Sequence, residues 1–265
     1  MNRRIQPGKI GAAAKLPLPS AVLRYPLIDA LRGLAIASMF AYHFSFDLNY
    51  FGALHFDFNH GFFWLAFRTL IVSLFLGLMG ISLILANVRG FRSRPYWARL
   101  GRIGACALLV TAGSYVLFPR SFIYFGILHF IAAASVIALP FVRLYWTNLA
   151  LGAAIIAFGW SWRHPLFDSP WLHWFGLMTF KPVTEDYVPL LPWFGVVLLG
   201  MFVARSIFAR PSGARVAQWQ PRSRLARTLA LAGRHSLLIY MLHQPVFIAL
   251  LYAVTAGGEV LRSHL

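Results

Sequence analysis

Apolar stretches about as long as a membrane-crossing helix follow one another along the chain at 28–49, 62–87, 98–118, 122–142, 144–162, 188–208 and 235–256. Short segments rich in Gly, Pro and Arg separate them, and none of the stretches shows the strict two-residue alternation of a strand. The pattern predicts an all-α, polytopic membrane helix bundle of about seven transmembrane helices. The 144–162 stretch is the shortest and would cross only as a short or tilted helix. Residues 24–265 read as a single transmembrane domain. Residues 1–23 read as a basic, poorly ordered tail without the apolar core of a signal peptide.

The first stretch is unlike the others because it carries charge: Asp29, Arg32, His43 and Asp47 lie within it. At about 100° per residue these four and Ile36 stay within roughly 40° of one stripe. The helix therefore has one polar edge, which should face protein or a wet cavity. Asp29 can pair with Arg32. His43 and Asp47, one turn apart, form a candidate His-carboxylate dyad about 16 to 22 Å further along. Ionisable groups inside a membrane point first to function, although a structural seam between packed helices would use the same residue types.

Composition agrees with a membrane protein: 59% of the 265 residues are hydrophobic, 12% are charged, and mean hydropathy is +0.67. The net charge of +17 does not indicate nucleic-acid binding, because the basic residues sit in short loops between apolar runs rather than on one face. It reports topology instead. Arg3, Arg4, Lys9, Lys15 and Arg24 precede the first stretch, Arg89, Arg92, Arg94, Arg99 and Arg102 follow the second, and Arg143 follows the fourth. A further run from Arg205 to Arg234 follows the sixth, whereas the alternate loops hold only Arg120, Arg163, Lys181 and Arg262. The positive-inside rule then places the N-terminus in the cytoplasm and the C-terminus outside. The lone Cys106 offers neither a disulfide framework nor a metal cluster, and no metal, P-loop or dinucleotide motif is present.

With that orientation, polar residues fall into two layers. The outer layer collects His43, Asp47, Arg68 as a counter-ion for Asp47, His129, and Glu185, Asp186 and Trp193 from the loop entering the sixth span. His60 lies in the loop before the second. Of the chain's seven acids, Asp29, Asp47, Glu185 and Asp186 belong to or adjoin this polar set, more than scattered surface placement would give. The inner layer comprises Asp29 and Arg32 with Arg234, His243 and Gln244, the last two just before the helix-interrupting Pro245. A histidine oriented by a carboxylate can act as a general base or accept an acyl group. Arginines at the cytoplasmic mouth can hold phosphates. Together these suit transfer of an acyl group from a cytoplasmic acyl-CoA to an acceptor on the far side.

Several separated motifs in one order, IDALRGLAIASMFAYHFSFDLNYFG, RTLIVSLFLGLMGISL, FGILHFIAAAS, TEDYVPLLPWFGVVLLG and GRHSLLIYMLHQPV, resemble the heparan-alpha-glucosaminide N-acetyltransferase catalytic-domain family in its small bacterial branch. That family lies near the wider transmembrane acyltransferase superfamily. The resemblance implies transfer of acetyl from cytoplasmic acetyl-CoA to an extracytoplasmic sugar, glycan or lipid-linked sugar. It implies residence in a bacterial cytoplasmic (inner) membrane and leaves a homodimer open. The lysosomal relatives carry asparagine where His43 aligns, and their proposed catalytic histidine lies in the loop before the second span, where His60 is the nearest counterpart. Residue types and depth assign His43, Asp47 and His129 to catalysis. Asp29, Arg32, Arg234, His243 and Gln244 are assigned to the donor, and His60, Arg68, Glu185, Asp186 and Trp193 to the acceptor side. A proton-coupled transporter or flippase would use the same buried groups as a relay. The lack of a clear internal repeat weighs against it.

Reporter fusions test the orientation. A phosphatase fused after Ala217 should be inactive and one fused after Leu265 active; the opposite pattern overturns the two-layer assignment.

Overall fold

The computed structural model describes residues 24–87 and 90–263, with side chains to Val254. The predicted tail at 1–23 and Arg89 lie outside the described residues. The helices, in order, are α1 (Pro26–Tyr50), α2 (Phe62–Asn87), α3 (Ser93–Leu117), α4 (Ile127–Ile137), α5 (Trp146–Ser161), α6 (Leu190–Phe208), α7 (Ser212–Gln218), α8 (Arg224–Arg234) and α9 (Ser236–Ser263). No strand occurs among the described residues, so the all-helical expectation holds. Length and apolarity alone qualify α2, α3, α6 and the Ser236–Val254 part of α9 as membrane-crossing.

Side-chain contacts give each helix a direction. Arg32 meets Ser82 at one level and Tyr42 meets Phe67 at another, so α1 and α2 run antiparallel. Tyr96 with Ser135 and Thr111 with His129 do the same for α3 and α4. Tyr145 with Ser206 and Gly159 with Pro192 make α5 and α6 antiparallel. Tyr25 packs on Phe208, which returns the end of α6 to the start of α1. Phe40 with Phe247 and Phe51 with Tyr252 then set α9 beside α1 in the same direction. The chain thus alternates through α1, α2, α3, α4, α5, α6 and α9, and the two ends of the described chain lie at opposite ends of the bundle.

The core centres on α6. Leu76, Met79 and Leu83 of α2, Phe130 and Ala134 of α4, and Val197, Leu198 and Met201 of α6 form one buried cluster. Without a hydrophobic force between helices in lipid, close backbone approach must supply much of the packing. Glycines allow it: a Cβ on Gly200 would lie 2.3 Å from the Gly77 carbonyl oxygen, and one on Gly195 would lie 2.5 Å from that of Gly152. A second cluster, Met39 and Tyr42 of α1 with Phe58 and Ile71, joins α1 to α2 near their outer ends. The faces left exposed on α3 (Leu108, Leu109, Val116) and α9 (Leu238, Leu242, Val246, Leu250) are apolar, as lipid contact requires.

Two segments depart from the sequence-based expectation. The predicted 122–142 span is interrupted: residues 122–126 are not helical, α4 has 11 residues, and Leu139–Arg143 is a 3-10 turn with Pro140 near its start. Proline cannot supply the N–H that would continue α4. The predicted basic loop after α6 instead folds as α7 and α8. Ser223 caps α8 by accepting the Ala226 N–H at 3.1 Å. α8 crosses the start of α1 in the opposite sense, with Leu229 over Gly33 and Gly233 over Asp29. The chain breaks helical geometry at His235 (φ −104°, ψ 21°) before α9 follows α1 outward.

A Cβ on Gly33 would stand 1.9 Å from the Leu229 carbonyl oxygen, whereas one on Gly101 meets nothing within 4 Å. Gly33→Ala should therefore cost about 1–3 kcal/mol by overpacking. Gly101→Ala should be neutral or stabilise by up to about 1 kcal/mol through helix propensity. Denaturation of the purified variants in detergent checks both signs.

Candidate active site

The inner layer assembles where α8 crosses α1. Asp29 is buried, and its Oδ1 accepts from Arg32 Nη1 at 2.6 Å. Arg32 also donates through Nη2 to Ser82 Oγ at 2.7 Å, which ties α1 to α2. Arg234, brought in by α8, places Nε 3.7 Å from Asp29 Oδ2. Arg24 and Arg99 lie within electrostatic reach of Arg32. Two guanidinium groups thus share one carboxylate and two more lie within reach of Arg32, an excess of positive charge suited to a phosphorylated ligand. Ser82 and Arg99 were not foreseen as partners; the only trace of Ser82 in the sequence is a lone hydroxyl within an apolar run.

The structure places His243 and Gln244 away from this layer. α9 gains about 1.5 Å per residue, and by His243 it has reached His43, with ring centroids 5.1 Å apart. Phe40 stacks on the His243 ring at 5.6 Å and 17°, and Phe247 closes another side at 5.9 Å. Gln244 Nε2 donates to Asp47 Oδ1 at 3.1 Å. His43 and Asp47 therefore each find their partner on α9. Among the described residues no hydrogen bond joins them, and none reaches either nitrogen of His43, which packs against the Tyr42 and His243 rings. His243 has a defined state: Nδ1 lies 2.6 Å from the Tyr240 carbonyl oxygen, to which it must donate.

The remaining outer residues divide differently from the expectation. Arg68 lies within electrostatic reach of Tyr42, Asp186 and Lys181 rather than Asp47, so it is not the counter-ion of Asp47. Asp186 Oδ2 accepts from the Ile127 N–H at 2.9 Å, at the N-terminus of α4, and from the Tyr240 hydroxyl at 3.4 Å. Burial pushes the Asp186 carboxyl above the usual carboxylate range, while these hydrogen bonds and Arg68 pull the other way. His129 is committed to the same helix end. Its Nδ1 accepts from the Gly126 N–H at 3.3 Å, leaving Nε2–H to donate to Thr111 Oγ1 at 3.0 Å. No contact joins His129 to His43 among the described residues. Glu185 is exposed and accepts from Ser121 Oγ at 2.5 Å, and Trp193 packs against the core around α6.

His60 stays in the outer loop, exposed, with its N–H donating to Asp57 Oδ1 at 2.8 Å. That backbone bond holds the exposed Asp57 carboxyl below the usual range. Beyond α5, the segment expected as a loop is an ordered cap. His173 is buried between the Tyr124 hydroxyl (3.2 Å from Nδ1) and the Asp168 carbonyl (3.1 Å from Nε2). Asp168 in turn accepts both the N–H and the hydroxyl of Thr179 at 2.8 Å. No group of acidic, histidine or cysteine side chains placed to hold a metal occurs among the described residues.

Arg32→Ala would leave Asp29 buried without its closest partner, at about 3–5 kcal/mol. The charge-swapped Asp29→Arg, Arg32→Asp double variant should recover most of that stability but little donor affinity, because it moves the guanidinium relative to Arg99 and Arg234. Unfolding and acyl-CoA titration of the three proteins check this. Full recovery of both makes Arg32 purely structural.

No curated protein and no solved structure matches the chain. The heparan-alpha-glucosaminide N-acetyltransferase catalytic family matches residues 24–245, which takes in α1 to α8, the α1–α9 seam and both polar layers. The chain belongs to that family of membrane acetyltransferases.

Proposed function

We propose that the protein takes acetyl from cytoplasmic acetyl-CoA and transfers it to a sugar, glycan or lipid-linked sugar on the far side of the membrane, which in this reading is a bacterial cytoplasmic membrane. The observation that carries the reading is the arrangement on α1. Arg32 of the arginine-rich inner cluster and His43 of the histidine layer stand on this one helix, 11 residues apart, which is about 16 Å along its axis. That separation is of the order of an extended pantetheine arm. Arg24, Arg32, Arg99 and Arg234 hold the phosphates, and the thioester reaches the layer formed by His43, His243, Asp47 and Gln244. Glu185, Asp186, Arg68 and His60 lie toward the side from which the acceptor arrives.

The reaction needs no other group. The acceptor hydroxyl or amine loses its proton to a histidine as it attacks the thioester carbonyl carbon. The carbon–sulfur bond breaks, and the thiolate takes up the proton. Phe40 and Phe247 limit water around the His243 ring, which favours transfer over hydrolysis.

Purified full-length protein should bind acetyl-CoA. Mass analysis of envelope glycans should show an acetyl group in the parent strain that a deletion strain lacks. A proton-coupled transporter built on the same residues would leave acetyl-CoA unbound and glycan acetylation unchanged, and that pair of results overturns the reading.

A further inference from the structure

We propose that His243, rather than His43, is the catalytic residue, with its Nε2 taking the proton of the acceptor while Asp47 and Gln244 hold the attacking group; this rests on the acetyl-transfer reading above. A general base needs a ring fixed in one tautomer with the other nitrogen free and aimed at the substrate. His243 has one ring nitrogen fixed and the other free. Its Nδ1–H is held by the Tyr240 carbonyl at 2.6 Å, so in the neutral ring Nε2 carries the lone pair. The residue is 6% exposed, and Nε2 is buried without a hydrogen-bond partner within the protein. His43 fails the first, since no hydrogen bond fixes its tautomer among the described residues.

The neighbouring residues support the assignment. Of the five buried side-chain atoms without a partner among the described residues, Asp47 Oδ2, Gln244 Oε1 and His243 Nε2 come from the seam between α1 and α9, while Asp29 Oδ2 and Asn148 Oδ1 lie elsewhere. Leaving a buried polar atom unpaired costs about 1–3 kcal/mol, and the seam concentrates three of the five. All three are hydrogen-bond acceptors. The group that satisfies them comes from outside the chain and brings N–H or O–H donors, as an acceptor amine or hydroxyl does. Asp47 is itself 6% exposed, and its other oxygen is fixed by Gln244 at 3.1 Å. The carboxylate therefore presents Oδ2 in a set orientation.

The proton count closes. As the acceptor heteroatom bonds to the acetyl carbon, its proton passes to His243 Nε2. As the carbon–sulfur bond breaks, the same proton passes to the departing thiolate, so His243 ends neutral and coenzyme A leaves as the free thiol. His43, at 5.1 Å between ring centroids, borders the thioester side of this step.

The variant that isolates Nε2 is His243→Asn, because the Asn amide nitrogen can occupy the place of Nδ1 and keep the bond to the Tyr240 carbonyl. Inverted membrane vesicles carrying the full chain are given acetyl-CoA labelled in the acetyl group, and label in envelope glycan is measured against pH. H243N is expected to retain its melting temperature and acetyl-CoA affinity, to lose at least about a hundredfold in transfer rate, the lower end for a general base, and to lose the rising limb of the pH profile. His43→Gln should keep that limb. A smaller loss in H243N, or disappearance of the limb in H43Q alone, overturns the assignment. Wild-type vesicles that transfer no label overturn the proposed function and this assignment with it, a result separable from an active wild type with an active H243N. Should H243N fail to fold, nitrogen-15 resonances of His243 in the wild type decide: a protonated Nδ1 with a bare Nε2 is expected, and a protonated Nε2 in the neutral ring overturns the proposal.

Discussion

The contact between two backbones, α8 over α1, sets the register of every polar group in the site. A Cβ on Gly233 would stand 1.8 Å from the Asp29 carbonyl oxygen and one on Gly33 1.9 Å from that of Leu229. Only glycine on both sides permits the approach. Because Gly233 sits on Asp29, Arg234 falls beside the Asp29 carboxylate. Because the helix then breaks at His235 and resumes as α9, the rise of α9 brings His243 to the level of His43 and Gln244 to Asp47. The inner and outer layers are therefore two results of one docking event, and neither can shift without the other.

Much of this was legible in the sequence. The bounds of α2 coincide with the apolar run. Asp29 with Arg32 follows from their three-residue spacing on a helix. The layer of His243 and Gln244 was misjudged for a definite reason. Counting from the start of their own helix makes them look shallow, but depth is measured against α1, and the offset between the helices comes from the Gly233 contact. No spacing within one helix encodes that offset. The break in the predicted fourth span was signalled by Pro140, yet the apolar run continued through it and masked the stop. α8 was missed because its arginines resembled a solvated loop, although Ser223 and the small residues Ala230 and Gly233 marked a capped helix with one packed face.

The polar residues of the outer layer separate into those spent on structure and those left free. Asp186 and His129 both bond the buried N-terminus of the short α4, whose orphan N–H groups would otherwise go unpaired. His173 and Asp168 hold the outer cap together by the same logic. Titratable residue types at a shared depth thus could not distinguish the two roles. The distinguishing feature is hydrogen-bond saturation: His129 has both nitrogens engaged, whereas His243 has one.

The rigid stretch of α1 between Arg32 and His43 also acts as a ruler with a phase. Eleven residues make about three whole turns, so Arg32 and His43 look out from nearly the same side of the helix. One inserted residue between them would lengthen the span by only about 1.5 Å but rotate one end against the other by about 100°. The tolerance of this helix to change is consequently angular rather than linear. A whole added turn would preserve the facing of both ends while setting them about 5 Å further apart, so under the proposed acetyl transfer the helix is a gauge for the length of the donor.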